Sequence, residues 1–346
     1  ELFLNQWRPI STLAPSSSHL TALRGTSAGG RHISADYSIH VTFCSLQVCN
    51  SLMLVLGVIL NSLALYIFCG TFGQSSASVV YTINLAVADL LVALSLPARI
   101  ALYHSKGSCM ICSYIHNFSY FVNMYCSILF LTSICIDRYL AVVHASSTLH
   151  RWRTTGAAKG VSCTVWLTAI IVTYSFQVKA NTTYSLLPAL FYLTVLEFLL
   201  PLLAVIGFTL RVACFLSSHH GPMHRKSRDR RTRAIGLLTT VLVVFTICFT
   251  PFHVRQILVY FRVWVGAVSS GQGAGHILAY HITVTLSSLN SCLDPIVYCF
   301  VTDSFKRVHS TGYSSQCGHS YTDGTSTFRR HYGPHCVNKT LNSPET

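Results

Sequence analysis

The sequence carries little charge. Only 10% of its 346 residues are Asp, Glu, Lys or Arg, whereas 51% are hydrophobic, and the mean hydropathy is +0.49. A water-soluble domain carries about 25% charged residues, so this chain has too few to cover a soluble surface of its size. The composition therefore predicts an integral membrane protein, with membrane lipid as a constant partner.

Several chemical signatures are absent. The sequence has no HExxH, no GxSxG and no His and Asp pair at catalytic spacing, so we do not expect an enzyme. The two halves show no internal repeat, which argues against a secondary transporter, although that reading stays open as an alternative. The stretch CMIC (Cys109–Cys112) is half of a redox or zinc motif, and without a second pair nearby a zinc site is not expected.

Seven long apolar segments occupy the middle of the chain. Each is long enough as a helix to cross about 30 Å of hydrocarbon, and none alternates like a barrel strand. The sequence predicts an all-α membrane protein, a seven-transmembrane helix bundle with a short amphipathic eighth helix. Its parts are an extracellular disordered tail (1–40), a receptor-like domain (41–308) and a cytoplasmic disordered tail (309–346). The predicted spans are Phe43–Cys69, Ser78–Tyr103, Cys112–Val143, Ala157–Phe176, Leu186–Leu216, Ala234–Phe261 and His276–Val301.

The net charge of +14 is unevenly distributed. Lys and Arg collect in the junctions after the third, fifth and seventh segments, above all in Ser217–Arg233, while the alternate junctions hold fewer. This is the positive-inside pattern, and it predicts a cytoplasmic C-terminus and an external N-terminus. It also makes nucleic acid an unlikely partner, so none is expected.

Polar side chains interrupt the apolar segments at few places. Asn290, Asp294 and Tyr298 are four residues apart and share one face of a helix. Asp89 lies at a similar depth in the second segment, and Asn61 and Ser127 supply further polar groups. Two facing carboxylates need either a shared proton or a cation. A sodium ion held by Asp89 and Asp294 and an ion-free hydrogen-bond cluster both remain open.

Four segments contain a proline, which removes a helix hydrogen bond and permits a kink. These residues are Pro97, Pro201, Pro251 and Pro295. Kinked helices around a polar centre are typical of a bundle that has two packing arrangements.

Together these features resemble the rhodopsin family of G-protein-coupled receptors. The motifs are GVILN ending at Asn61, NLAVADLL with Asp89, IDRYLAVV, FTICFTPF and DPIVY, with Trp166 and Pro201 between them. DPIVY and LTVLEFLLPLL resemble the branch of nucleotide, lysolipid and protease-activated receptors.

The resemblance implies roles for individual residues. Asp137, Arg138, Tyr139 and Tyr298 would form a G-protein switch, with Arg138 leaving Asp137 on activation. Asn61, Asp89, Ser127, Asn290 and Asp294 would form a sodium or polar network. Phe245, Phe249, Pro251 and Pro295 would form an activation hinge. The implied partners are a heterotrimeric G protein of the inhibitory class and an extracellular ligand, at the plasma membrane.

The ligand side has no acid where amine receptors carry one, because Tyr120 stands there. Basic and imidazole groups gather near the outer ends of the segments instead: Arg99, His253, Arg255 and His281. Arg is a good partner for phosphate or carboxylate, so we expect an anionic or amphiphilic ligand, with Tyr120, Phe121 and Met124 as apolar wall. The alternative is that the arginines snorkel to lipid headgroups and the histidines bond between helices.

The sequence departs from the family in its cysteines. The family ties the third segment to the second outer loop by a disulfide, yet no cysteine lies between Cys163 and Cys214. We expect the tether to be absent or replaced through Cys44 or Cys49, which keeps open a receptor-like protein that no longer signals. Asn181 begins a glycosylation motif on an outer loop.

Overall fold

The computed structural model describes residues 27–71, 76–105, 108–144, 153–179, 191–217, 225–264 and 273–301, and every regular element in these ranges is a helix. This confirms the all-α prediction. The described helices belong to the compact unit of residues 1–306. Asn181 and residues 302–346, with the predicted eighth helix and C-terminal tail, lie outside the described ranges.

The helices form seven spans, numbered in chain order. Spans two, three and four are single α-helices, and spans one, five and six contain a five-residue π-helical turn. Span seven consists of two α-helices that meet at Leu289. The bounds are Ser27–Tyr66 with Ile67–Thr71, Ala77–His104, Met110–Val143, Thr155–Lys179, Val195–Leu199 with Leu200–Ser217, Arg225–Val244 with Phe245–Phe249 and Thr250–Trp264, and Gly273–Ser288 with Asn290–Val301.

Six helices within the described ranges are long and apolar enough to cross a membrane: Val41–Gly70, Ala77–His104, Met110–Val143, Thr155–Gln177, Phe191–Phe215 and Thr232–Arg262. Span seven was also predicted, but its segments have only 16 and 12 residues because the helix is broken at Leu289. We call the end of the bundle with Asp137 the inner end and the end with Cys109 the outer end.

Span one begins earlier than the sequence indicated. Its helix starts at Ser27, so residues 27–40, which we assigned to the tail, continue the helix. Glycine and serine in this stretch have low helix propensity. Extending an existing helix is nevertheless much easier than nucleating a new one, and the apolar helix that follows supplies the nucleus.

The prolines of spans five and six follow π-helical turns. The amide of Leu200 bonds the carbonyl of Val195, and the amide of Thr250 bonds that of Phe245, each five residues back. Proline cannot donate and crowds the carbonyl four residues before it. The wider turn before Pro201 and Pro251 accommodates this crowding while the preceding amide stays bonded.

Span three lies at the centre of the bundle. It packs against spans two, four, five, six and seven, whereas span one packs against two and seven. The fully buried core includes Phe130, Phe245 and Tyr298, while Leu94 and Leu210 on the outside are 64% and 60% exposed. An apolar exterior of this kind suits a hydrocarbon environment.

Candidate functional sites

The centre of the bundle holds a polar network. Tyr298 donates its hydroxyl to Asp89 Oδ2 (3.0 Å) and to Asn61 Oδ1 (3.2 Å). Asn123 donates its amide to Asp89 Oδ1 (3.1 Å) and to Ser127 Oγ (3.3 Å). The predicted face of span seven therefore meets spans one and two through Tyr298, and Asp89 of span two accepts from spans three and seven.

Asn61 also compensates for Pro295. A helix would pair the carbonyl of Ser291 with the amide of residue 295, but proline has none. The Asn61 side-chain amide donates to this carbonyl instead, at 2.8 Å. Span one thus satisfies the acceptor that the kink of span seven leaves open.

Two members of the network are buried without a hydrogen-bond donor or acceptor partner. Both oxygens of Asp294 and both amide atoms of Asn290 are in this state, and each residue is 0% exposed. Asp294 interacts electrostatically with Asp89. Carboxylate and amide oxygens are the ligands that a hard cation prefers, so these residues fit the sodium reading.

The hinge residues lie immediately on the inner side of Pro251. Phe245 and Phe249 begin and end the π-helical turn of span six, and their rings meet edge to face at 5.5 Å. Both side chains are fully buried. A change of pitch in this turn would therefore have to repack the core.

Arg99 is the most thoroughly bonded cation at the outer end. Its Nη2 donates to the His281 carbonyl and to Thr285 Oγ1, both at 3.0 Å, and its Nε donates to Tyr103 (2.9 Å). Its Nη1 lies 3.3 Å from His116 Nε2. The side chain is 2% exposed, so Arg99 does not snorkel to the surface.

Arg255 is also buried, at 8% exposure. Its Nη2 donates to the His276 carbonyl (3.2 Å), its guanidinium lies 5.1 Å from the Tyr280 ring centre, and its Nε has no partner. Tyr280 interacts electrostatically with both Arg255 and Arg99. Neither arginine forms an ion pair with a carboxylate in the described part of the chain.

The predicted apolar wall lies beside these cations. The Tyr120 ring is 5.0 Å from Phe121 and 5.8 Å from Phe252, and its hydroxyl donates to Met124 Sδ (3.5 Å). His253 stacks on Phe198 at 4.2 Å, and neither ring nitrogen has a hydrogen-bond partner. His281, in contrast, bonds Tyr103 at 3.3 Å. The predicted pocket residues thus form an aromatic cluster carrying two buried cations.

The inner end is organised around Asp137. Arg153 binds its carboxylate with two bonds, Nε to Oδ1 (2.7 Å) and Nη2 to Oδ2 (3.1 Å). Arg138 Nη2 reaches Oδ2 at 3.0 Å, and Ser78 bonds both Asp137 and Arg138. These two ion pairs are the only ones in the described ranges. Asp137, in span three, is therefore bonded to span two and to the residue two positions before span four.

The comparisons with known proteins decide the family. Residues 60–298 match the family described as 7 transmembrane receptor (rhodopsin family). The chain belongs to the rhodopsin family of seven-transmembrane receptors. It is 42% identical to human "G-protein coupled receptor 20" over 97% of this chain and 98% of that protein. Human "Proteinase-activated receptor 2" is 32% identical over 77% of this chain and 70% of its own length.

A third relative is mouse "Lysophosphatidic acid receptor 6", which is 31% identical over 81% of this chain and 88% of its own length. Protease-activated and lysolipid receptors are thus both relatives, which confirms the predicted branch. The chain is a multi-pass membrane receptor and not an enzyme, and membership in this family sets the transporter alternative aside.

The structure brings most of the predicted receptor residues together, with two differences. Tyr298 bonds Asp89 and Asn61 rather than the Asp137 cluster, and Tyr139 instead bonds His144 (3.2 Å) and packs on Phe208 (4.9 Å). The expected replacement of the tether through Cys44 or Cys49 is not formed with either cysteine at the outer end of span three. Cys109 and Cys112 bond to each other instead.

Several residues of these sites escaped the sequence analysis. Ser78 and Asn123 gave no signal of their own, since each is an ordinary polar residue until its neighbours are known. The charge of Arg153 indicated only the side of the membrane. His116 was also passed over. Glu197 could have been found, because it is an acid inside an apolar run. It is 8% exposed, its Oε2 has no partner, and it interacts electrostatically with Tyr125.

Proposed function

We propose that this receptor lies in the plasma membrane with its N-terminus outside, and that its outer end binds an anionic ligand with an apolar part. At its inner end it switches a heterotrimeric G protein of the inhibitory class. The orientation rests on the basic residues of the junctions after spans three and five.

The burial of Arg99 and Arg255 with no carboxylate partner in the part of the chain that the structure describes carries the ligand proposal. Burying an unpaired cation is costly, even when neutral groups hydrogen-bond to it. A phosphate or carboxylate would supply the absent charge, and arginine binds such groups with paired bonds. Arg99 is only 2% exposed. An anion that binds it would therefore replace one of its existing hydrogen-bond partners, such as Thr285.

The apolar part of the ligand would lie against Tyr120, Phe121 and Met124. A lysophospholipid has this combination of phosphate and hydrocarbon, and one relative is named for lysophosphatidic acid. A nucleotide has phosphate and an aromatic base, which could stack on the same rings. The relatives also include a proteinase-activated receptor, so the buried cations rather than the relatives favour an anion.

The switch would work by exchange of partners. In the structure Arg138 shares Asp137 with Arg153 and Ser78. On activation Arg138 would leave this carboxylate for the G protein, and Tyr298 would leave Asp89 to meet it. Asp89, Ser127, Asn290 and Asp294 would hold a sodium ion while the receptor is inactive, because their buried oxygens suit a hard cation.

The test measures inhibition of cAMP production in cells that express the receptor. The probes are oleoyl lysophosphatidic acid, its uncharged counterpart monooleoylglycerol, and uridine diphosphate. We expect one anionic probe to signal, the uncharged one to be inactive, and Arg99→Ala or Arg255→Ala to weaken potency about tenfold or more, the loss of one charge-assisted bond. Arg138→Ala should abolish the response.

Arg262→Ala is the matched control, because Arg262 is an exposed arginine near the outer end of the same span as Arg255. It should leave potency unchanged. Surface expression of each variant is measured by an antibody to an N-terminal tag on unpermeabilised cells, which also checks the orientation. Equal potency in Arg99→Ala and wild type would refute the anion site, and signalling that survives Arg138→Ala would refute the switch.

A further inference from the structure

The outer end of span three carries a disulfide between two cysteines of the same turn. Cys109 and Cys112 are three residues apart, and their Cα atoms are separated by 5.2 Å. Cys109 is the N-cap residue of the helix Met110–Val143, and its sulfur accepts the amide hydrogen of Cys112 at 3.2 Å. The proposed receptor function makes no use of this bond.

This disulfide is a poor structural tether. A disulfide stabilises mainly by closing a loop in the unfolded chain, and the effect grows with loop length. Here only Met110 and Ile111 lie between the partners, so the bond restrains only the first turn of span three and joins no second element. Stabilisation of the fold therefore does not explain this disulfide, whereas thiol exchange could.

The bond lies where aqueous reagents can reach it. Span three has 34 residues, which at 1.5 Å each is about 51 Å, against about 30 Å of hydrocarbon. With Arg138 near the inner boundary, the first turns extend beyond the lipid. Met110 and Ile111, which lie between the two cysteines, are 83% and 74% exposed, whereas Cys109 and Cys112 themselves are half-buried. The disulfide is therefore partly open to external thiols, which exchange with accessible disulfides.

The helix start favours one direction of attack. The Cys112 amide and the free amides of the first turn stabilise negative charge on Cys109 Sγ, as at other helix N-termini. Cys109 is therefore the better leaving group and Cys112 the sulfur to be attacked.

We propose that Cys109 and Cys112 form a thiol-exchange site for an external dithiol. One thiolate of the dithiol attacks Cys112 Sγ, forms a mixed disulfide and releases Cys109 as a thiolate. The second thiol of the dithiol then attacks the first sulfur of the same dithiol, which is now bonded to Cys112, and releases Cys112. Two electrons pass from the dithiol, which ends as a disulfide, and its two protons end on Cys109 and Cys112.

Reduction acts on the outer cluster through His116. This residue lies one turn after Cys112, and its ring nitrogens contact Ser95 Oγ (3.1 Å) and Arg99 Nη1 (3.3 Å). Opening the disulfide releases the first turn of span three, so the position of His116 becomes less restrained. This consequence for ligand binding rests on the proposed function, whereas the exchange itself does not.

The experiment uses the full-length receptor in lipid nanodiscs. It is treated with dithiothreitol, alkylated, digested and examined by peptide mass spectrometry. We expect alkylation of Cys109 and Cys112 to rise about tenfold or more on treatment, as for an accessible disulfide, while the buried Cys126 and Cys135 stay unmodified. Hydrogen exchange in residues 112–116 should rise several-fold.

The matched control is the double variant Cys109→Ser, Cys112→Ser. Serine is a favoured N-cap residue, so the helix should still start at the same place, and dithiothreitol should change hydrogen exchange in this variant very little. Full alkylation without reductant, or a pair that resists dithiothreitol until the receptor unfolds, would overturn the exchange site. A reduced pair with unchanged exchange around His116 would overturn the link to Arg99. Neither readout requires a ligand or a G protein.

Discussion

The arginines at the two ends of the bundle are buried in different ways. At the inner end, Arg138 and Arg153 share the carboxylate of Asp137, with Ser78 completing the cluster. At the outer end, Arg99 and Arg255 are more deeply buried but contact only carbonyls, hydroxyls, aromatic rings, a glutamine amide and a histidine. The first pair has its counter-charge in Asp137, and the second has none among the described residues.

This difference indicates how the two ends could work. A cation with an internal partner can be released when that partner changes, so the inner cluster suits an exchange between two states of one molecule. A cation held by neutral groups gains most from an anion that comes from outside. Three perturbations test this contrast.

The largest effect is expected for Arg153→Ala. The substitution removes two charge-assisted bonds to Asp137, which should cost about 1–3 kcal/mol, and the Arg138 and Ser78 bonds limit the loss. The melting temperature of the purified receptor should fall by several degrees, and basal G-protein activation should rise because Asp137 is less firmly held.

Lys159→Ala is the control for Arg153→Ala, since Lys159 is an exposed cation six residues further on, in the helix Thr155–Lys179 that follows Arg153. It should change neither property. If both variants melt like wild type, the inner cluster contributes nothing to stability, and the contrast between the ends fails.

A smaller effect concerns Asp294, which, like the outer arginines, forms no ion pair among the described residues. If sodium binds there, a sodium concentration of ten times the Kd stabilises the receptor by about 1.4 kcal/mol. Replacing sodium chloride by N-methylglucamine chloride should then lower the melting temperature of wild type but not of Asp294→Asn or Asp89→Asn.

The opposite result would favour the ion-free cluster. A melting temperature that is independent of sodium in wild type, together with an Asp294→Asn variant at least as stable, would mean that the two carboxyl groups share a proton.

The smallest effect is expected for Thr285→Asp, which would give Arg99 the internal partner that the inner arginines have. Thr285 Oγ1 already accepts from Arg99 Nη2 at 3.0 Å. The new ion pair should raise stability by about 1 kcal/mol, less any cost of burying the acid. It should also weaken the response to the anionic probe, because the internal carboxylate competes with it.

Thr285→Asn separates charge from shape in that experiment, because asparagine has nearly the size of aspartate. It should leave potency closer to wild type. Equal losses for the aspartate and asparagine variants would show that space rather than charge decides binding at this position.

The sequence indicated how deep in the membrane each polar residue lies and which helix face it occupies, but not which residue it bonds. The period of Asn290, Asp294 and Tyr298 predicted a polar stripe in span seven, and the structure places that stripe in the core. The partner of Tyr298 could not be deduced, since Asp89 is 209 residues away. The same holds for Arg153. Its charge indicated only the side of the membrane, whereas in the structure its guanidinium forms an ion pair with Asp137.

The cysteines illustrate a different limit. Their absence between Cys163 and Cys214 excluded the usual family pairing and left the tether either absent or replaced through Cys44 or Cys49, whereas in the structure Cys109 and Cys112 bond to each other. A bond within one helical turn depends on local backbone geometry, which spacing alone permits but does not require.

The π-helical turns before Pro201 and Pro251 have a consequence for every residue beyond them. An extra residue in one turn of a helix advances the screw by about 100° and 1.5 Å. In spans five and six the residues before and after the π-helical turn are therefore out of phase. A single helical wheel drawn through the whole span then places the residues on one side of the turn on the wrong helix face. Deleting one residue from Phe245–Phe249 would swing the inner half of span six by roughly a quarter of a revolution, and its lipid-facing side would turn toward its neighbours.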